Sequence, residues 1–277
     1  FRSIFHYYDV LIRIYFSVKR FKKSEVNFFL TFSFTASGLS DNPSILFCDR
    51  TYENYVTQFL KQVPDRLEQG SISRENKSLK KSDAIISLYP AMARHLEREY
   101  QDLRIHYLGN VINCVVDVPK ADLIKEKHRS NKILFIGGVH YLAGAQCLIA
   151  AYKILKNSMP ELTLDIVAME ESLFDSLPEG IICHGYLDKG IDEKREQYYN
   201  LIKGAKVLVN TTPMWSGFSS MLEAMYFYTP VITSRYDEFS ATFGDDISFG
   251  AYCENTPDIL ATTIEKLFKD SDYIGMC

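Results

Sequence analysis

The sequence contains no apolar run of about 18 residues or more, and even its aromatic opening stretch is cut by Arg2, Asp9, Arg13 and Lys19, which excludes a membrane-spanning helix there. Cysteine is sparse and scattered: Cys48, Cys114, Cys147, Cys183, Cys253 and Cys277 form no CxxC pair and have no His at zinc-site spacing. They are expected to be reduced, mostly buried thiols of a cytoplasmic protein, and no metal site is expected. Basic charge has no excess, with 31 Lys and Arg against 35 Asp and Glu and a net charge of -4. That balance argues against a protein built to wrap nucleic acid. There is no Ser-His-Asp order, no HExxH and no P-loop, which removes the reactions that those motifs announce. Short tandem repeats and low-complexity tracts are also missing. Residue 1 is Phe and falls inside a helical pattern, so the first domain is expected to lack its N-terminal part.

What is present suits a folded protein with two cores: 277 residues, 47% hydrophobic, 24% charged and 13% aromatic. Apolar residues at helical spacing over 1–21 (Ile4, Tyr7, Tyr8, Leu11, Ile14, Tyr15, Val18), followed by Lys19, Arg20, Lys22 and Lys23, predict an amphipathic helix with a basic end. It either packs on a core or lies on an anionic membrane face. Short β-branched or aromatic runs then alternate with helical patterns. Strands are expected at 26–33, 44–48, 84–87 and 105–108, and helices at 52–61, 73–81 and 90–100. Residues 110–130 turn polar and charged and read as an interdomain linker. A second series follows, with strands at 132–136, 163–168, 181–184, 206–210 and 230–233 and helices at 143–157, 192–203, 218–228 and 258–268. This alternation predicts α/β architecture with parallel strands. The expected domains are 1–109, N-terminal and incomplete, and 131–277, C-terminal.

Three stretches of the second series carry a resemblance. Asn131-Lys-Ile-Leu-Phe-Ile-Gly-Gly138 gives a strand and a glycine turn; Cys183-His-Gly-Tyr186 ends a strand; Leu222-Glu-Ala-Met225 and Thr229-Pro-Val-Ile232 give a helix and the next strand. In order and spacing they resemble the C-terminal domain of GT-B glycosyltransferases, in particular retaining family 4. Arg74-Glu75, Asp83-Ala-Ile-Ile-Ser87 and Leu108-Gly-Asn110 resemble that family's passage from acceptor domain to linker. The resemblance implies two Rossmann-like domains with parallel sheets facing across a cleft. It also implies a nucleotide-diphosphate sugar as donor substrate, no cofactor, and an acceptor that is a carbohydrate, a lipid-linked glycan or a protein. Localisation would be cytoplasmic, with peripheral contact at the inner face of a membrane and no nucleic-acid partner.

Glu223 lies among Phe218, Met221, Leu222, Ala224 and Met225, and a carboxylate in such company needs partners. The resemblance implies that it accepts hydrogen bonds from the two ribose hydroxyls of the donor; alternatively it is a first-turn Glu favoured by the helix dipole. Ser216, Gly217, Phe218, Ser219 and Ser220 approach the helix N-terminus, where free N–H groups attract phosphate; alternatively Ser219 or Ser220 simply caps the helix. Gly137 and Gly138 let the following loop approach phosphates, and His184 and Tyr186 sit where the family packs the base. Two departures stand out. The first carboxylate of the family's Glu-x7-Glu pair is Trp215 here, and its diphosphate-binding Arg and Lys fall on Gly138 and Ala143. Charge for the departing diphosphate would come from His140, Lys189 or Arg235, and Lys189 is the candidate assigned to catalysis. Asp49, at the end of a strand, either touches the acceptor sugar or caps the next helix. The missing cations also permit another reading, a catalytically silent GT-B-like accessory subunit that binds an acceptor for a partner transferase.

Overall fold

The computed structural model describes residues 4–21, 24–109, 111–112, 120–212 and 218–270. The chain folds as two compact units, Phe1–Asn110 and Val111–Cys277.

In the first unit the elements run α1 (Ile4–Arg20), β1 (Asn27–Phe29), β2 (Ser44–Cys48), α2 (Tyr52–Asn54, continued as a π-helical turn, Tyr55–Phe59), α3 (Arg66–Lys81), β3 (Ala84–Ser87), α4 (Pro90–Glu99) and β4 (Ile105–Tyr107). The four strands form a parallel sheet in the order β1-β2-β3-β4. Helix α3 starts well before residue 73 because Asp65 and Glu68 make a capping box. The Asp65 carboxylate accepts from the N–H groups of Leu67 (2.9 Å) and Glu68 (2.8 Å), and Glu68 accepts from Asp65 N–H (2.8 Å). One turn of α1 after another sets Tyr7, Leu11, Ile14 and Val18 half-buried, but no residue of that helix is fully buried. Glu75 on α3 is 4% exposed; it accepts from Ser33 Oγ at 2.8 Å and from Tyr52 N–H, which ties α2 and the 31–35 segment to α3. Burial pushes its pKa up to about 6.

The second unit contains α5 (Lys120–Arg129), β5 (Lys132–Ile136), α6 (Leu142–Lys156), β6 (Thr163–Val167), β7 (Ile181–Cys183), α7 (Asp192–Gly204), β8 (Val207–Asn210), α8 (Ser219–Tyr226), β9 (Val231–Thr233), α9 (Asp237–Phe243), β10 (Gly250–Tyr252) and α10 (Pro257–Lys269). Its parallel sheet has the order β10-β9-β8-β5-β6-β7, the doubly wound order whose direction reverses between β5 and β8. Ligands of such sheets bind outside the strand C-termini at that reversal. Strands β5 and β8 are apolar on both faces, as a covered parallel sheet demands, with Ile133, Leu134, Phe135, Val207 and Leu208 fully buried. Leu148, Tyr152 and Leu155 of α6 share the core with Leu260, Ile264 and Leu267 of α10.

Strand β1 is shorter than the expected 26–33, and three further elements, α5, α9 and β10, stand where the sequence predicts none. Helix α5 occupies the stretch read as linker. Its burial rests on Leu123 and Lys127, and the charge of Lys127 hides its inward position. The Lys127 ammonium donates to the carbonyls of Ile202 (3.1 Å), Lys203 (3.1 Å) and Ala205 (3.0 Å) and to Thr229 Oγ1, satisfying the carbonyl end of α7. Helix α9 and strand β10 complete the sheet edge, where a Cβ on Gly250 would stand 2.0 Å from the Val231 carbonyl oxygen. Of the cysteines, Cys147 and Cys253 are buried and Cys48 and Cys183 half-buried, all four as free thiols; Cys114 and Cys277 lie outside the described residues. No helix among the described residues is long and apolar enough to cross a membrane.

Candidate functional site

At the end of β5, Gly137 meets a steric requirement: a Cβ there would lie 3.0 Å from Tyr141 Cβ and 3.1 Å from the Phe135 ring, because the chain folds back through a 3-10 turn, Val139–Tyr141. Gly138 has no such crowding, its nearest contact being the Ala168 carbonyl at 4.0 Å. His140 sits exposed in that turn, and Ala143 is exposed in the first turn of α6. A few residues on, Gly144 lets α6 approach the loop after β8: a Cβ there would be 2.2 Å from Thr212 Oγ1.

The ends of β6 and β7 are locked together. Ala168 N–H donates to the Gly185 carbonyl (2.7 Å), and Gly185 N–H donates to the Met169 carbonyl (3.1 Å). Gly185 adopts φ +61, and a Cβ would strike Glu170 Oε1 at 2.4 Å, so both conformation and space favour glycine. His184 Nε2 lies 2.6 Å from Asp165 Oδ1, and the Gln197 amide nitrogen lies 3.3 Å from Nδ1. A carboxylate can only accept, so Nε2 carries the proton and Nδ1 accepts from Gln197. Both ring nitrogens of His184 are thus used inside the protein. Tyr186, in contrast, is 73% exposed.

Glu223 stands at the centre of α8, beyond its first turn, which removes the first-turn dipole explanation for this glutamate. It is 3% exposed and has two partners from the β7–α7 segment. Lys189 Nζ donates to Oε1 at 2.7 Å, and the Tyr198 hydroxyl donates to Oε2 at 2.6 Å. The Lys189 ammonium also lies 4.9 Å from the centre of the Tyr198 ring. Burial, then the negative charge of Glu223, raise the Tyr198 pKa, so the phenol stays a neutral donor. Sequence reasoning named Glu223 and Lys189 separately; the fold joins them across 34 residues of sequence. Tyr198 was missed, since one tyrosine in an amphipathic helix carries no signal of its partner. Asp165 and Gln197 were missed for the same reason.

Phe218 is buried and packs edge-to-face on Phe239 (5.4 Å) and Phe243 (5.5 Å), anchoring the start of α8. It is also the N-cap residue, without a side-chain cap bond, so neither Ser219 nor Ser220 is the cap. Ser219 is exposed and Ser220 half-buried in the first turn. Ser216, Gly217 and Trp215 lie outside the described residues. Arg235 is engaged elsewhere, pairing with the Asp245 carboxylate and lying over the Tyr252 ring. In the first unit, Asp49 follows β2 and is 35% exposed in its side chain; it accepts from Cys48 Sγ at 3.3 Å and lies 3.4 Å from Arg50 Nε. It does not cap the next helix: Thr51 does, accepting from Asn54 N–H at 3.1 Å. Cys48 is held protonated, its pKa pushed up to about 11 chiefly by burial.

Chemically, the second unit offers a buried carboxylate paired with a partly exposed cation, a glycine turn beside the sheet reversal and an exposed aromatic residue. The cation, the glycine turn and the ring sit on connections that follow strand C-termini, and the carboxylate on the helix that follows β8. Residues 130–270 match the family described as glycosyl transferases group 1. No curated protein sequence matches the chain. Among solved structures, the fold is similar to S. aureus TarM (TM-score 0.59, 16% identity, 84% of this chain and 50% of that one). It is also similar to WaaG, a glycosyltransferase involved in lipopolysaccharide biosynthesis (TM-score 0.61, 16% identity, 87% of this chain and 73% of that one). Sucrose-phosphate synthase from Thermosynechococcus elongatus gives a TM-score of 0.65 at 16% identity over 97% of this chain and 71% of that one. The chain spans about half the length of the TarM structures. These likenesses show the fold: two parallel-sheet α/β units of the GT-B kind.

Proposed function

The chain belongs to the glycosyl transferases group 1 family, and on that premise we propose that it moves a sugar from a nucleotide-diphosphate sugar to a glycan, lipid-linked or protein acceptor. The second unit binds the donor and the first unit the acceptor. Transfer proceeds with retention of anomeric configuration and without a bound metal. The observation that carries this reading is the buried Glu223 carboxylate on α8, with charge-assisted partners and a position next to the sheet reversal. Two hydroxyls of a ribose are matched to such an acceptor. The TarM structure was obtained with UDP and alpha-GlcNAc-glycerol, which supports a nucleotide donor of this kind.

On the acceptor side, a hollow of about 640 Å³ lies between α1 and α3, lined by Tyr8, Ile12, Tyr15 and Phe16 with Lys77 and Lys81. Apolar walls and two cations suit an anionic, lipid-linked acceptor. Helix α1 exposes Phe5 beside the hollow-lining Tyr8, Ile12 and Phe16, and it ends on Lys19 and Arg20. That pattern supports peripheral contact with an anionic membrane, where each basic side chain contributes about 1 kcal/mol. Asp49 is the acceptor-side candidate beyond β2, and Lys189 the candidate for stabilising the leaving diphosphate.

The test incubates the purified protein with UDP-, GDP- and ADP-sugars and a panel of glycan and glycolipid acceptors, with chelator present. Release of nucleoside diphosphate matched by a glycosylated product, its anomeric carbon assigned by NMR, is the expected result. Donor binding without turnover on any acceptor would instead favour the silent accessory subunit, which Gly138 and Ala143 in place of cations motivate.

A further inference from the structure

Each oxygen of the carboxylate that would receive the ribose already accepts one hydrogen bond, and the two donors differ in kind. Tyr198 is 6% exposed, belongs to α7 and holds Oε2 with a neutral phenol. Lys189 is 45% exposed in its side chain, sits in the connection between β7 and α7, and covers a carboxylate whose own side chain is 4% exposed. Of the two partners of Glu223, Lys189 is thus the one open to solvent. The ammonium's second contact, the face of Tyr198, is weakly directional and easily left.

We propose that Lys189 is an exchangeable counter-ion: it neutralises Glu223 in the ligand-free protein, yields Oε1 to the ribose hydroxyls of a nucleoside diphosphate, and then pairs with the diphosphate of the same ligand. This rests on the nucleotide-site reading above. Tyr198 acts as the positioning residue, holding Oε2 in both states. The exchange answers two costs at once. A buried carboxylate stripped of its cation needs replacement donors, and the two ribose hydroxyls supply them. A diphosphate arriving at the sheet reversal needs a cation, and neither 137–144 nor 213–220 contains a Lys or Arg. Within one nucleotide the ribose and the diphosphate are adjacent, so the displaced ammonium reaches the phosphates by rotating its flexible four-carbon stem.

The experiment compares Lys189→Met with wild type in calorimetric titrations against two probes, nucleosides (uridine, guanosine, adenosine) and their diphosphates. Removing a competing cation should tighten nucleoside binding several-fold, while loss of the phosphate contact should weaken diphosphate binding about tenfold. Shifts of the same sign for both probes would overturn the exchange. In wild type, the Lys189 ammonium signal in ¹⁵N NMR should leave its carboxylate-bound position on adding nucleoside; a signal that stays would overturn it as well. Tyr198→Phe should weaken both probes alike, and an effect on diphosphate alone would contradict its positioning role. If wild type binds no nucleoside diphosphate, the nucleotide-site reading itself fails, and the exchange with it. If wild type binds and Glu223→Gln binds equally well, the ribose assignment fails while a nucleotide site stands.

Discussion

Replacing Glu75 by Gln should change how the stability of the first unit depends on pH. Glu75 is buried on α3, accepts from Ser33 Oγ and Tyr52 N–H, and titrates in the folded protein at about 6 against an ordinary 4.5. A raised carboxylate pKa means that the folded state binds more protons than the unfolded one between those two values. Stability therefore falls as pH rises from about 4.5 through about 6, and stays lower above it. A shift from 4.5 to about 6 corresponds to about 2 kcal/mol. The Gln variant lacks this titration, and any cost from rearranged hydrogen bonds to Ser33 is the same at every pH. The gap between variant and wild type should thus move by about 2 kcal/mol in favour of the variant from pH 4 to pH 7.5. Urea unfolding at matched ionic strength, followed by circular dichroism on the transition that responds to the substitution, measures it. A gap that is flat across this window, or one that favours wild type more as pH rises, would refute the burial argument.

Lys127→Met should destabilise the second unit by about 3 kcal/mol, since it leaves the final carbonyls of α7 and the Thr229 hydroxyl without their shared donor; thermal unfolding checks this, and a neutral result would show that water takes its place. Gly144→Ala should cost about 1 to 3 kcal/mol through the collision with Thr212 Oγ1, and Thr212→Ala added to it should restore most of the loss. Additive costs in that double variant would place the strain elsewhere. Gly185→Ala combines a positive φ with contact on Glu170, so a loss of about 2 kcal/mol in urea unfolding is expected, and none would mean the turn has another accessible conformation.

Period and punctuation made most of the fold legible. Runs such as Ile133-Leu-Phe-Ile136 and Val207-Leu-Val209, bounded by turn residues, gave the central strands of the second sheet, because strands covered on both faces are apolar throughout. Residues that act against their type stayed hidden. Lys127 looks like a solvated linker charge but is fully buried. The Asp65–Glu68 box extends α3 beyond its apolar periodicity, and α9 and β10 are too short to show a period. The same division holds at the candidate site. Glu223 stood out because a carboxylate in apolar company needs partners, and Gly137 because a turn follows a strand. The partners could not be read: Lys189 and Tyr198 meet Glu223, and Gln197 meets His184, only through the path of the chain from β7 through α7, while Asp165 meets His184 only through the pairing of β6 with β7.

A nucleoside diphosphate is expected to bind the second unit through Glu223. Isothermal titration of the intact wild-type protein and of Glu223→Ala with UDP, GDP and ADP tests it directly. At least one nucleotide should bind wild type, and the substitution should weaken it by about 2 to 3 kcal/mol, the range for a hydrogen bond to a charged group. Equal affinity in a folded Glu223→Ala protein, or no binding of any of the three to wild type, would rule out a nucleotide site built on Glu223.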